Sequence, residues 1–83
     1  MSRLDKWLFH ARLRRTRALA QAAAAAGQVW LNGAKIDRPG HAVKPGDVLT
    51  LRMGAKIVTV RVQALAEKRG SAAEARMLYE VLE

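Results

Sequence analysis

The chain contains no cysteine, and its seven acidic residues are outnumbered by fifteen lysines and arginines. The first absence excludes a disulfide framework and any thiolate metal site. No run of eighteen apolar residues is present and nothing at the start resembles a signal peptide, so the expected compartment is the cytoplasm and no membrane partner is expected. Glycine-rich phosphate loops are missing. The two histidines, His10 and His41, stand 31 positions apart and neither falls in a metal-ligand spacing. Asp5, Asp37 and Asp47 fall at a helix start and in turns, where capping accounts for them. With 83 residues the chain has little room for a deep cleft. No catalytic residue, metal, cofactor or small-molecule substrate is therefore expected, and the chain does not read as an enzyme.

What is present is positive charge, unevenly spread. Twelve bases face three acids over residues 1–66, and three bases face four acids over residues 67–83. A field concentrated in one part of a small fold points to a polyanionic partner, nucleic acid before membrane. The plainer alternative is a basic surface that serves only solubility. The same division suggests a binding domain over residues 1–66 and a helical extension over residues 67–83 that packs on it or follows it.

The stretch from Ser2 to Gln21 holds six of the fifteen bases against one acid. Ser2 and Asp5 have the spacing of a capping box at the start of a first helix. Leu4, Trp7, Leu8 and Ala11 recur at i, i+3, i+4 and i+7 and define its apolar stripe, with Trp7 in the core. Arg3, Lys6, His10 and Arg14 recur along another edge, where like charges repel unless phosphates lie between them. His10 is more simply an ordinary solvated residue than a ligand or a base. Arg12, Arg14, Arg15 and Arg17 crowd the junction, Thr16 is placed to cap a second helix, and Gly27 to end it. That helix buries Leu19, Ala20, Ala23 and Ala24, and its run Ala22 to Ala26 lets it pack closely. Apart from Arg17 and Gln21 it offers nothing that could read a base.

From residue 28 the period changes to two. Val29 and Leu31 alternate with Gln28 and Trp30, and Asn32-Gly33 is a strong hairpin signal because both residues accept positive φ. A return strand runs from Ala34 to Asp37, with turns at Arg38-Pro39-Gly40 and at Lys44-Pro45-Gly46-Asp47. A strand follows from Val48 to Met53 and another from Ile57 to Leu65, the latter placing Val58, Val60, Val62 and Ala64 on one face. Ser71 and Glu74 form a capping box for a C-terminal helix through Met77, Leu78 and Val81. The closing Leu82-Glu83 reads equally as native or as an appended scar. Alternation turns Trp30 outward, where its indole can stack on an unpaired base; the competing role is to finish an incomplete core.

Arg3-Leu4-Asp5, Leu8, Thr16-Arg17, Ala20, Gly27-Gln28-Val29, Leu31-Asn32-Gly33, Ile36, Pro39, Val43 and Lys44-Pro45-Gly46-Asp47 together resemble the S4-type RNA-binding domain, the αL motif, over roughly residues 3–50. Asp5 to Arg12 and Lys68 to Ala75 make the chain most similar, within that group, to the ribosome-associated heat shock protein fifteen family. It ends before the long basic C-terminal extension of those relatives. The resemblance implies an α+β fold in which two N-terminal helices pack on a small, mostly antiparallel sheet. It also implies that Arg3, Lys6, Thr16, Arg17, Gln21 and the hairpin Asn32, Gly33, Ala34 and Lys35 form one continuous RNA-facing surface. With the residues read directly from the sequence, the candidate site comprises Arg3, Lys6, Arg12, Arg14, Arg15, Thr16, Arg17, Gln21, Trp30, Asn32, Gly33 and Lys35.

The partner so implied is structured RNA, in particular ribosomal RNA on the large subunit, bound by a monomer, with a role in recycling subunits stalled with a nascent chain or in the heat-shock response. Two other readings stay open. A helix-turn-helix regulator of DNA is one, although its recognition helix would turn to alanine after Leu19. An accessory RNA-binding module of an RNA-modifying enzyme is the other.

Overall fold

Two helices lie against one face of an antiparallel sheet in the computed structural model, which describes residues 1–82; Glu83, one half of the Leu82-Glu83 pair, lies outside them. The order is β1 (Ser2–Arg3), α1 (Leu4–His10), α2 (Arg17–Ala25), β2 (Val29–Leu31), β3 (Ala34–Ile36), β4 (Ala42–Val43), β5 (Val48–Met53), β6 (Lys56–Val62), α3 (Ala72–Arg76) and β7 (Tyr79–Val81). Five strands form one sheet in the spatial order β3-β2-β5-β6-β7, and β1 pairs separately with β4. This is the α+β architecture that the change of period from helix to strand implies. No helix among the described residues is long and apolar enough to cross a membrane.

The apolar stripe of α1 is buried as its spacing requires: Leu4, Trp7, Leu8 and Ala11 join Ala20, Ala23 and Ala24 of α2 and Val29, Leu49, Leu51, Val60 and Val62 of the sheet in one core. Alanines on α2 bring its backbone close to this layer. Leu19 is the exception, half exposed instead of buried. The Trp7 ring meets Tyr79 edge-on at 6.5 Å, and its indole N–H donates to the Ala64 carbonyl at 3.0 Å, so the polar end of the largest core side chain is satisfied.

The ends of the helices show what local sequence can and cannot specify. Ser2 does not cap α1; it lies in β1, and Arg3 occupies the cap position without a side-chain bond. The first free N–H groups of α1 are taken by the loop before β4, Leu4 N–H by the His41 carbonyl at 2.8 Å and Asp5 N–H by the Pro39 carbonyl at 3.0 Å. A distant loop thus does the work that a cap would do. Thr16 does cap α2, its hydroxyl accepting from Leu19 N–H at 3.0 Å. Both helices end in the same motif. The residue three beyond the helix bonds back to its last full turn, Gln28 N–H to the Ala23 carbonyl and Leu13 N–H to the Leu8 carbonyl. Gly27 supplies the left-handed residue of α2 at φ 72°, whereas α1 uses Arg12 at φ 59°, a conformation that costs a side-chain-bearing residue about 1 kcal/mol.

Asn32 and Gly33 both take positive φ, as the hairpin between β2 and β3 requires. β5 has the limits its alternation predicts, while β6 stops at Val62 and does not reach Leu65. There the chain turns, Gln63 and Ala64 N–H both bonding the Leu78 carbonyl. The capping box at Ser71 and Glu74 forms, yet α3 lasts only five residues, and the segment expected to continue the helix through Val81 becomes β7. Pairing with β6, with Tyr79 opposite Val62 and Glu80 opposite Arg61, satisfies an otherwise open strand edge, and this outweighs the helical spacing of Met77, Leu78 and Val81. The last segment thereby belongs to the same sheet as the hairpin.

Candidate nucleic-acid interface

Asp5 sits in the first turn of α1 with its side chain fully buried, and α1 and α2 pack so that donors from both converge on it. Arg3 grips it with a two-pronged contact, Nε to Oδ1 at 3.1 Å and Nη2 to Oδ2 at 3.2 Å. Arg17 Nη2 and Gln21 Nε2, one turn apart on α2, reach Oδ2 at 3.3 and 3.1 Å, and the Lys6 backbone N–H donates to Oδ1 at 2.8 Å. Burial alone would raise the pKa of this carboxyl. The donors of Arg3, Gln21, Lys6 and Arg17 outweigh it and hold the group at about 2, so it is ionised at neutral pH.

The two arginines that touch Asp5 are not themselves buried: 51% of the Arg3 side chain and 42% of the Arg17 side chain remain accessible. Their other guanidinium edges are free to meet an anion while the carboxylate fixes their direction. Arg17 Nε is the one buried side-chain donor without a partner among the described residues. Lys6, adjacent in α1, and Arg15, just before the Thr16 cap, are exposed and bonded to no protein group there. The turn before β4 carries the exposed Arg38 and lays Gly40 against the Arg3 guanidinium. Arg38 was not singled out by sequence reasoning; its place beside a turn proline was the only signal.

Other candidate residues are held elsewhere. The basic edge Arg3, Lys6, His10 and Arg14 does not form one helical stripe, because α1 ends at His10 and Arg14 lies in the connecting loop. Arg14 donates to the carbonyls of Leu13 and Arg52, both at 2.9 Å, tying that loop to the end of β5. His10 is buried and donates Nδ1–H to the Ala66 carbonyl at 3.1 Å, a structural role. Arg12 points to the C-terminal segment, where Nε and Nη2 meet the Gly70 carbonyl at 3.0 and 2.8 Å. Beside it Arg69 donates to the Phe9 carbonyl at 3.2 Å and stacks its guanidinium 4.7 Å above the Phe9 ring. Asn32 bridges to the next turn through Asp47 Oδ1 and Val48 N–H. Trp30 and Lys35 oppose each other across β2 and β3 in the register that alternates with the buried Val29 and Ile36. The Trp30 side chain therefore leaves the sheet on the side away from the helices. Lys35 bends over Gly27 at the end of α2.

The stretch that builds the Asp5 cluster and the hairpin also carries the family signature: a model described as S4 domain matches residues 2–49. The chain belongs to the S4 domain family. This S4 chain is 46% identical over 78 residues to heat shock protein 15 of Escherichia coli (strain K12), an alignment that covers 94% of its own length and 58% of the relative. It thus spans less than two thirds of that relative. It is 41% identical over 80 residues to the RQC P-site tRNA stabilizing factor of Bacillus subtilis (strain 168), covering 96% of the chain and 91% of the relative. Among solved structures, a trimeric structure of heat shock protein 15 from Vibrio cholerae matches it with a TM-score of 0.90 and 38% identity, over 95% of this chain and 79% of that one. The S4-type fold implied by the motif residues is the fold of the chain.

Proposed function

We propose that this S4 chain binds structured RNA on the large ribosomal subunit, through the surface formed by Arg3, Lys6, Arg15, Thr16, Arg17 and Gln21. The observation that carries the reading is the Asp5 cluster, in which one buried carboxylate aims two half-exposed arginines outward, one from the cap position before α1 and one from α2. Arginine held in a fixed direction loses less side-chain entropy on contact, and its planar fork matches phosphate oxygens. A-form RNA hides its base edges in a deep groove, so such a face selects backbone shape, junctions and loops over sequence. The small residues of α2 beyond Gln21 agree with this, since they offer no groove-reading side chains for duplex DNA.

The names of the relatives support the ribosomal setting. One class is named for stabilising P-site tRNA, which extends the partner to a tRNA held on the subunit and suits a part in handling subunits that still carry one. The cytoplasm is the corresponding compartment. The binding unit in this reading is the monomer, which sedimentation of the RNA complex tests.

With about four phosphates neutralised, one for each cation of the surface, the logarithm of affinity should fall with the logarithm of salt at a slope of roughly −2.8 to −3.6. Lys6→Gln combined with Arg15→Gln removes two cations that hold nothing in the fold. The slope should become shallower by about 1.4 to 1.8 and affinity should fall for every structured RNA tried, with the melting temperature nearly unchanged. An unaltered slope, or a preference for duplex DNA over ribosomal RNA in competition at fixed salt, would overturn the proposal.

A further inference from the structure

We propose that the sheet face opposite the helices is a second RNA surface, which takes an unpaired nucleotide stacked on Trp30. The inference rests on the RNA-binding reading above and concerns a different side of the molecule.

Strand alternation assembles this face from Trp30, its cross-strand partner Thr50, and Thr59 opposite Thr50. Arg52 with Ile57, and Arg61 with Glu80, extend it on either side. None of these residues is buried, although β5 and β6 are interior strands, because no helix lies on this side. Ile57 is 65% accessible. The two tryptophans differ accordingly. Trp7 fills the core and donates its N–H to Ala64, whereas Trp30 is outside the core cluster and its N–H has no acceptor among the described residues. The core is closed without it, so packing gives no reason for a large aromatic side chain here.

Charge decides the occupant. Arg52 and Arg61 face outward beside one acid, Glu80, which pairs with Arg61 at 2.7 Å. A second copy of the chain would bring the same cations against one another, while a nucleotide brings a flat base for the indole and a phosphate for Arg52. The Thr50 and Thr59 hydroxyls, 3.5 Å apart and only partly covered, can bond a base edge or a ribose hydroxyl. A paired helix cannot present a base this way, so the face selects loops, bulges and single strands.

The test compares a fluorescently labelled eight-residue oligouridylate with a fully paired RNA hairpin, using the full chain, Trp30→Ala and Trp30→Phe. Oligouridylate should quench the emission of Trp30 in the unsubstituted chain, Trp7 being sealed in the core. Trp30→Ala should weaken oligouridylate binding about tenfold, Trp30→Phe much less, and neither should change hairpin affinity. Absence of quenching while the hairpin still binds overturns the proposal, as does an equal loss for both RNAs. A concentration-dependent blue shift of Trp30 without RNA also overturns it, in favour of a contact between copies. Failure of the unsubstituted chain to bind the hairpin counts against the helical face, not this one, which the oligouridylate arm judges separately.

Discussion

Asp5 and Asp47 are both buried, and both are held ionised by hydrogen bonds that outweigh the effect of burial, yet they organise different parts of the molecule. Around Asp47 the donors are close in sequence or belong to turns: Lys44 contributes its backbone N–H at 3.0 Å and its amine at 3.1 Å, and Asn32 its amide at 3.3 Å. The cluster ties the tip of the β2–β3 hairpin to the turn before β5. Around Asp5 the side-chain donors come from α2 and from the residue that precedes α1, and two of them are half-exposed arginines. The same buried carboxylate is a turn device in one place and a positioning device in the other. What separates them is whether the donors have any other surface to present.

The largest effect that would sharpen this contrast is expected from Asp5→Asn. Losing the charge that Arg3 and Arg17 converge on should cost about 2 kcal/mol, discounted for the exposure of both arginines, a drop in melting temperature of roughly 10 °C for a domain of this size. Affinity for structured RNA should fall as well, because the arginines must then be ordered on binding. A rise in affinity would show that the carboxylate merely subtracts charge from the face. The matching Asp47→Asn substitution should cost about 1 kcal/mol and leave RNA affinity unchanged; an affinity loss of similar size would erase the distinction.

Acid gives a second test. The folded pKa of Asp5 lies at about 2, below the ordinary value of 3.8, so the unfolded chain binds its proton more readily. The associated stability is complete above the unfolded value and is lost as pH falls through the folded one. It amounts to roughly 2 kcal/mol. Thermal melts between pH 5 and pH 2 should show this loss, and Asp5→Asn should lack that component.

The smallest effect belongs to the periphery of the Asp47 cluster. Lys44→Met removes an ion pair whose lysine is largely exposed, and should shift stability by less than about 0.5 kcal/mol because the backbone N–H of residue 44 still reaches the carboxylate. Arg3→Met, which removes the two-pronged contact, should cost more, as paired chemical melts of the two variants would show.

These clusters mark the limit of what sequence makes legible. Asp5 was readable as structural, but as part of a cap with Ser2, because a capping box is a pattern of residues three apart. Its real partners, Arg17 and Gln21, lie 12 and 16 positions away on a second helix. The basic residues near the N-terminus were legible as a group, and the structure sorts them: Arg3 and Arg17 share Asp5, Lys6 and Arg15 stand free, and Arg12 and Arg14 hold loops in place. Trp30 was legible as outward-facing from alternation alone, whereas the absence of any layer over it depends on where α1, α2 and α3 pack.

By itself the sequence determined the features whose energy is local: the Thr16 cap, the left-handed Gly27, the Asn32-Gly33 turn, the limits of β5, the capping box at Ser71 and the apolar stripe of α1. Each depends on a backbone preference or a periodicity that a few neighbouring residues settle. Tertiary structure alone decided the left-handed Arg12 clasped by Gly70, the pairing of β1 with β4, the conversion of the last segment into β7 and the gathering of Arg3, Arg17 and Gln21 on Asp5. In each of these, distant groups satisfy a buried charge or an open backbone edge. Such satisfaction exists only once the chain has folded and water has been excluded.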